Sequence, residues 1–520
     1  MVMRVVLPTG LLLVTAATPC HGFVPSRIIT PHRLLHKDST VRSQNLWASS
    51  ASIVDADDNG SDDVKNRFLG PTLAIAVPAW ISMMADPVLS LMDTAFVGRL
   101  GTMELAALGG CTSIFHLAFN AFRATTAATT SLVASSESRQ DKQRVTQVSL
   151  QLGVAMGVVV LVLLKGCGTW ALAQMGIGRS SPLFGPAQAY LQTRAWAGPA
   201  VLALVVSEGA FRGYGDTKIP LVASLVASLI NLVLDPILMF PPIHWGVTGA
   251  ATATALSQVG AVATYLYFLL KRQMLPRNKT TTTTTTTPVG TLEPTEDSAS
   301  QETTTKSTRQ IVSTIVGANL AMMTKQGSLL LGWAYATARA TRLGADHVAA
   351  HQVGLSFWLV FALWLDGAAV AAQVLVSQSL KRTRRVRSLT KYMFKVATVQ
   401  GLLSTMLIFG MGGIVPTLFT TDETIRAHLR RLVPNLAWQQ ILISWTLVVE
   451  SLAVGGQQFG LLAGGTILST VGAVLQIRQC HTVQQIWARG IVSLFAGRLL
   501  TALIGTARVN RLSLRLPWRQ

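Results

Sequence analysis

Asp235 is a carboxylate set inside the apolar run "NLVLDPILMF" (231–240), and the amide of Asn231 stands four residues before it. That spacing puts both side chains on one helical face. A second carboxylate, Asp93, lies in the equally apolar "SLMDTAFVG", and Arg123, Lys325 and Asp366 are further charges inside apolar stretches. A charge near the middle of a bilayer costs about 2.5–3.5 kcal/mol on insertion scales, so it persists where it is paired, hydrated by a cavity, or used. Carboxylates shielded from water, with neutral oxygens beside them, can hold a proton or coordinate a sodium ion, and reversible cation binding is the chemistry these residue types offer. Two structural alternatives stand beside it: Asp93 as a helix-end cap ahead of Gly98, and Asp235 as a residue near the membrane edge before Pro236.

Other arrangements carry less. His347 and His351, four apart beside Asp346, have metal-ligand spacing but no third ligand, and they start a span, so a loop-and-cap role is expected. No metal is implied beyond a transported sodium ion, and no organic cofactor. The cysteines Cys20, Cys111, Cys167 and Cys480 are scattered without CxxC spacing and read as small packing residues. An intramembrane enzyme would need a nucleophile–base pair or a metal cluster at membrane depth, and the sequence shows neither.

The elements that must position these residues are membrane helices. Of 520 residues, 50% are hydrophobic and only 13% charged, against about 25% charged in soluble domains. Twelve apolar segments are expected, near 70–97, 104–136, 146–175, 188–211, 218–241, 246–270, 311–337, 347–379, 391–419, 431–454, 457–477 and 484–506. The net charge of +20 falls in short loops between them, which points to membrane orientation rather than to nucleic acid. "SRQDKQR" (138–144), Lys271 with Arg272, "KRTRRVR" (381–387) and the Arg-rich C-terminus share one side. The opposite loops offer Arg99, Arg179, Arg342 and Arg478, with the 426–431 loop as an exception. The N-terminus, linker and C-terminus are therefore placed on the positive side.

The chain is expected to divide into a leader and tail (1–67), a first six-helix lobe (68–271), a linker (272–309), a second lobe (310–508) and a basic tail (509–520). The linker holds eight consecutive threonines (280–287) and builds no core. In the leader, "VVLPTGLLLVTAA" is too short to span and has the form of a signal-peptide core. The basic, hydroxyl-rich segment after it, with Phe23 at the junction, resembles the two-part leaders of algae with complex plastids. The alternative is a secretory signal followed by a polar tail, which would place the protein on the secretory route or at the plasma membrane.

The lobes repeat. "LGTMELAA" (100–107) matches "LGADHVAA" (343–350) at an offset of 243, and "SEGAFRG" (207–213) falls on "VESLAVG" (449–455) at 242. An even number of spans per unit gives parallel repeats about a central cleft, an arrangement that holds substrate between rocking halves. The carboxylates do not repeat: Asp93 corresponds to Ala336, Asp235 to Ile477, Asn231 to Ala473 and Tyr190 to Leu432. An ion site therefore belongs to the first half. Arg123 and Asp366 are repeat-equivalent and opposite in charge, so they either pair across the lobes or line the cleft separately. Glu208 and Glu450 are also equivalent, and their places near span ends suit a structural role.

"PAWISMMADPVLSLMDTAFVGRLGTMELAALG", "FRGYGDTKIP", "NLVLDPILMF" with "WGVTGAATATALSQ", and "LGADHVAAHQ" with "WLDGAAVAAQVLVSQ" occur in order over residues 68–508. Together they resemble the multidrug and toxic compound extrusion (MATE) family, on the branch of bacterial DNA-damage-inducible F proteins and plant plastid members. The resemblance implies a monomeric secondary antiporter in the lipid bilayer, exporting a small organic molecule in exchange for H⁺ or Na⁺. It places Asp93, Asp235, Asn231, Tyr190 and Thr254 around one cation pocket, and implies that a first-span proline, here Pro78, bends when the carboxylates are neutralised. Ordinary packing is the alternative for Tyr190 and Thr254, and a static kink for Pro78. The seventh span lacks the glutamates of some branches and has Lys325, which either contacts an anionic substrate or snorkels. A lipid-linked flippase of the same superfamily would call for more basic cleft residues than Arg123 and Lys325.

Overall fold

A computed structural model describes residues 61–100, 102–175, 177–276, 308–419 and 423–515. The leader through residue 60, including Phe23, and the Thr-rich segment 277–307 lie outside the described residues, as does the side chain of Asp93. The first half comprises α1 (Ser61–Gly98), α2 (Thr102–Ser135), α3 (Arg139–Gln174), α4 (Phe184–Ala195), α5 (Gly198–Gly213), α6 (Lys218–Met239) and α7 (Gly246–Lys271). The second comprises α8 (Thr308–Leu343), α9 (Ala345–Ser379), α10 (Thr383–Met411), α11 (Ile414–Phe419), α12 (Glu423–Gly455), α13 (Phe459–Arg478), α14 (Val483–Gln485) and α15 (Val492–Arg515), with a π-turn at Ile486–Ile491 between the last two. No strand occurs among the described residues.

These helices make twelve passes, with three departures from simple spans. The fourth pass is two helices, α4 and α5, meeting at Trp196 and Ala197. The ninth ends in the separate short α11, and the twelfth passes through the π-turn. Among the described residues, nine helical segments are long and apolar enough to cross a membrane. The first helix begins at Ser61, before the expected lobe boundary, and the last continues to Arg515, into the expected tail.

The packing repeats as the sequence does. α2 packs on α5 as α9 packs on α12, α6 on α7 as α13 on α15, and α1 on α6 as α8 on α13. Across the halves, α1 lies on α9 and α2 on α8, which is the pairing a two-fold along the membrane normal requires. Lipid tails are as apolar as leucine, so helices associate through close backbone approach at small residues. Where α3 crosses the start of α5, a Cβ on Gly157 would meet Pro199 Cα at 2.5 Å and Gly198 O at 2.7 Å.

The cores show where the halves meet. Near the helix ends on the linker side, residues of both halves mix: Phe68, Ile75 and Ala79 pack with Ala368–Val376, and Ala128 to Val145 with Ile311, Ile315 and Met322. Gln373 Nε2 donates to Ala127 O at 2.7 Å, Ser131 Oγ to Val454 O at 2.7 Å and Gln457 Nε2 to Ser135 Oγ at 2.6 Å, and Lys381 pairs with Glu137 at 2.5 Å. On the far side each half keeps its own core, one around Phe115, Tyr190 and Met239, the other around Trp487, Ile477 and Leu432.

Gly157→Ala should lower the melting temperature of the purified protein in detergent, since overpacking against backbone costs about 1–3 kcal/mol. Gly166→Ala, on the same helix with open space around the new methyl group, should leave it level or raise it. Equal effects of the two changes would refute the close crossing.

Candidate functional site

Three of the five expected pocket residues sit together at the far end of the first lobe. α6 supplies Asn231 and Asp235, which are 1% and 0% exposed, and α7 packed along it supplies Thr254. Asn231 Nδ2 donates to Asp235 Oδ1 at 3.4 Å and to Thr254 Oγ1 at 3.5 Å, both at the long limit of hydrogen bonding. Thr254 passes its own proton to Ala250 O at 2.9 Å, which leaves its oxygen as an acceptor. Asn231 Oδ1 is buried and has no hydrogen-bond partner among the described residues. A buried polar atom left so costs about 1–3 kcal/mol, and its natural complement is a cation or a protonated group.

Tyr190, from α4, is 2% exposed and belongs to the same core as Met239 and Ala250 beside the trio. Its ring stands edge-on to Phe115 at 6.2 Å. A resident cation accompanies it: Arg194 Nη1 donates to the Tyr190 hydroxyl at 3.2 Å, and the guanidinium lies 4.9 Å from the Phe115 ring centre. Arg194 was not singled out from sequence, although its i+4 spacing from Tyr190 was a legible signal. Asp93 belongs to α1, which packs on α6, and Val97 four residues later joins the core that holds Tyr190. Pro78 lies within α1, which stays helical through it, and the helix presses on α9 there: a Cβ at Gly367 would stand 3.0 Å from Ala76 O.

Among the described residues, the second lobe has no counterpart of this pocket at the repeat-equivalent positions. Ala473 and Ile477, which take the places of Asn231 and Asp235, are 0% exposed members of an apolar core.

The charges at mid-depth form a separate cluster towards the linker side. Arg123 is exposed well inside α2, and Asp366 is half-buried in α9 within electrostatic reach of Arg212, Lys325, Arg123 and Glu450. Lys325 pairs with Glu450, and Arg498 Nη2 also donates to Glu450 at 2.5 Å. Glu208 pairs with Arg212 one turn along α5. The two repeat-equivalent glutamates thus each hold a cation. The partners of Glu450 come from α8 and α15, so nothing local in the sequence announced them.

His351 is wholly buried, with Trp487 Nε1 donating to its Nδ1 at 3.1 Å and Thr337 Oγ1 3.0 Å from its Nε2. The His347 ring lies 4.4 Å from that of His428, tilted by 50°, and no group of three metal-ligating residues occurs among the described residues. Cys111 donates to Ala187 O at 3.2 Å and, like Cys480, is buried; Cys167 is exposed.

Comparison with known proteins agrees with this architecture. The chain is 28% identical to Protein DETOXIFICATION 44, chloroplastic, of Arabidopsis thaliana over 413 residues, covering 76% of this chain and 74% of that protein. It is 23% identical to DNA damage-inducible protein F of Escherichia coli, covering 78% and 84% of the two. The Vibrio cholerae MATE transporter VcmN in the bent form superposes with a TM-score of 0.74 at 16% identity, covering 87% of this chain and 99% of that one, which is a likeness of fold. The MatE family profile matches residues 78–237 and 333–477, once in each half. With more than half of its length matched, the chain belongs to the MatE family and is a multi-pass membrane transporter of that family, not an enzyme.

Proposed function

We propose that the protein is a secondary antiporter that exports a small organic compound from the linker side in exchange for H⁺ or Na⁺, by alternating access of its two lobes. The observation that carries this reading is the buried trio Asn231, Asp235 and Thr254 in one lobe, set against an apolar core at the repeat-equivalent positions of the other. A structural role would not call for a carboxylate in one lobe only. Cation binding at Asp235 and Asp93 neutralises the pocket and lets the first lobe repack about Pro78. That repacking disfavours the substrate-bound form, and the competition between cation and substrate for one lobe is the coupling. Tyr190 and Thr254 orient the bound cation. The cleft carries Arg123 and Asp366 on its wall, with Lys325 held behind them by Glu450. The protein acts as a monomer in a plastid membrane, a reading supported by the leader around Phe23 and by the chloroplastic designation of its Arabidopsis relative.

In liposomes holding the purified protein, substrate-dependent proton movement with and without sodium identifies the coupling ion. Asp235→Asn, which keeps shape and removes charge, should reduce ion-driven transport by at least tenfold, with a milder loss for Asn231→Ala. Near wild-type transport by Asp235→Asn would return this residue to packing.

Charge reversal separates the two geometries of the mid-depth pair. Arg123→Asp and Asp366→Arg should each impair transport, and the double change should be at least as poor as either alone if the two line the cleft independently. Recovery in the double variant would instead show a direct pair, and silence of both single changes would remove the residues from the mechanism.

Residues 1–50 fused to a fluorescent reporter should carry it to the plastid in an algal host with complex plastids, and Phe23→Ala should divert it. A reporter indifferent to that change would remove the support the leader gives to plastid residence.

A further inference from the structure

Proline has no N–H, so Pro78 leaves the carbonyl of Ala74, four residues earlier, without its helical donor. A buried hydroxyl from outside the helix takes that place. Thr217 Oγ1 donates to Ala74 O at 3.3 Å, and Thr217 is 1% exposed. Thr217 is the residue immediately before α6, the helix that carries Asn231 and Asp235. A second link follows on the other side of the proline, where Ser82 Oγ and Ser224 Oγ lie 2.8 Å apart. The two bonds bracket Pro78 and tie α1 to the base of α6.

The local sequence frees Thr217 for this. A threonine at a helix start ordinarily spends its oxygen capping its own helix. Here Asp216 caps instead: its Oδ1 accepts from Lys218 N at 2.9 Å and Ile219 N at 3.2 Å, while Arg272 holds its other oxygen. Gly215, at φ +84°, lets the chain reverse so that both side chains reach their targets.

The second half serves as an internal control. Its turn repeats the first bond for bond: Gly215 N to Arg212 O at 2.8 Å and Asp216 N to Phe211 O at 2.9 Å correspond to Gln457 N to Val454 O at 2.9 Å and Gln458 N to Ala453 O at 3.0 Å. Yet Ala321 occupies the place of Pro78 and Phe459 the place of Thr217. Where no proline strips a carbonyl of its donor, the hydroxyl is gone too. The proline in α6 is also instructive, since among the described residues no side chain donates to Leu232 O, four residues before Pro236. Among the described residues, the Thr217 bond thus answers Pro78 of α1 and has no counterpart at Pro236.

We propose that Thr217 is a positioning residue that holds α1 at Pro78 against the start of α6, so that movement of α1 must break or transfer its bond to Ala74. This rests on the reading of Pro78 as the hinge. The test is a double-mutant cycle on the full chain. Thr217→Val keeps the shape and removes the donor; it should lower ion-driven transport about fivefold, in line with loss of one buried hydrogen bond, and Thr217→Ser should restore it. Pro78→Ala returns an N–H to Ala74, so adding Thr217→Val to Pro78→Ala should cost nothing more. Because Pro78→Ala can abolish transport, the same cycle is read on melting temperature in detergent: Thr217→Val should lower it in the Pro78 protein and leave it unchanged in the Pro78→Ala protein. Equal losses in both backgrounds, or no loss in the Pro78 protein, would overturn the assignment of Thr217. Wild-type transport by Pro78→Ala alone would instead overturn the hinge reading and leave the melting cycle to decide whether the bond exists.

Discussion

Lipid offers no hydrogen bonds, so every polar group carried into a bilayer must find its partner within the protein. That constraint organises this molecule more than any single packing contact. Its backbone is helical across each pass, and where a pass is broken the break lies against other helices, as at the α4–α5 junction over Gly157 of α3. Charges obey the same rule. Glu208 holds Arg212, and Glu450 holds both Lys325 and Arg498. The buried oxygen of Asn231 beside Asp235 is among the side-chain atoms that depart from it, and here the departure lies next to a buried carboxylate.

Two copies of one six-pass unit supply the scaffold, and they differ in their buried polar groups. On the linker side the halves share cores and exchange hydrogen bonds, while on the far side each packs about its own centre. A contact made by mixing residues of both lobes can be remade without disturbing either lobe's own core, which is the mechanical property a rocking pair needs. The polar trio stands beside the separate core of the first lobe, one helical turn from its members Met239 and Ala250. Pro78 of α1 sits where that lobe meets the second, with Ala76 against Gly367 and Trp80 edge-on to Trp364 at 5.1 Å.

The composition and apolar periodicity determined the fold class and the number of passes, because lipid imposes span length and hydropathy directly on the chain. The repeat offsets determined that the lobes are equivalent, and the unmatched Asp235 and Asn231 marked where the two lobes differ in buried polar groups. Their spacing of four also foretold their contact, since a helix fixes neighbours at that distance. What depends on residues far apart in the chain was decided by tertiary structure alone. No local pattern could show that Lys325 would meet Glu450, that Arg194 would stand over Phe115, or that Thr217 would supply the donor Pro78 withholds from Ala74. A hydrogen bond between residues 143 positions apart leaves no periodicity in the sequence; it exists because helix packing brings two ends together, and packing is settled by the whole set of side chains at once.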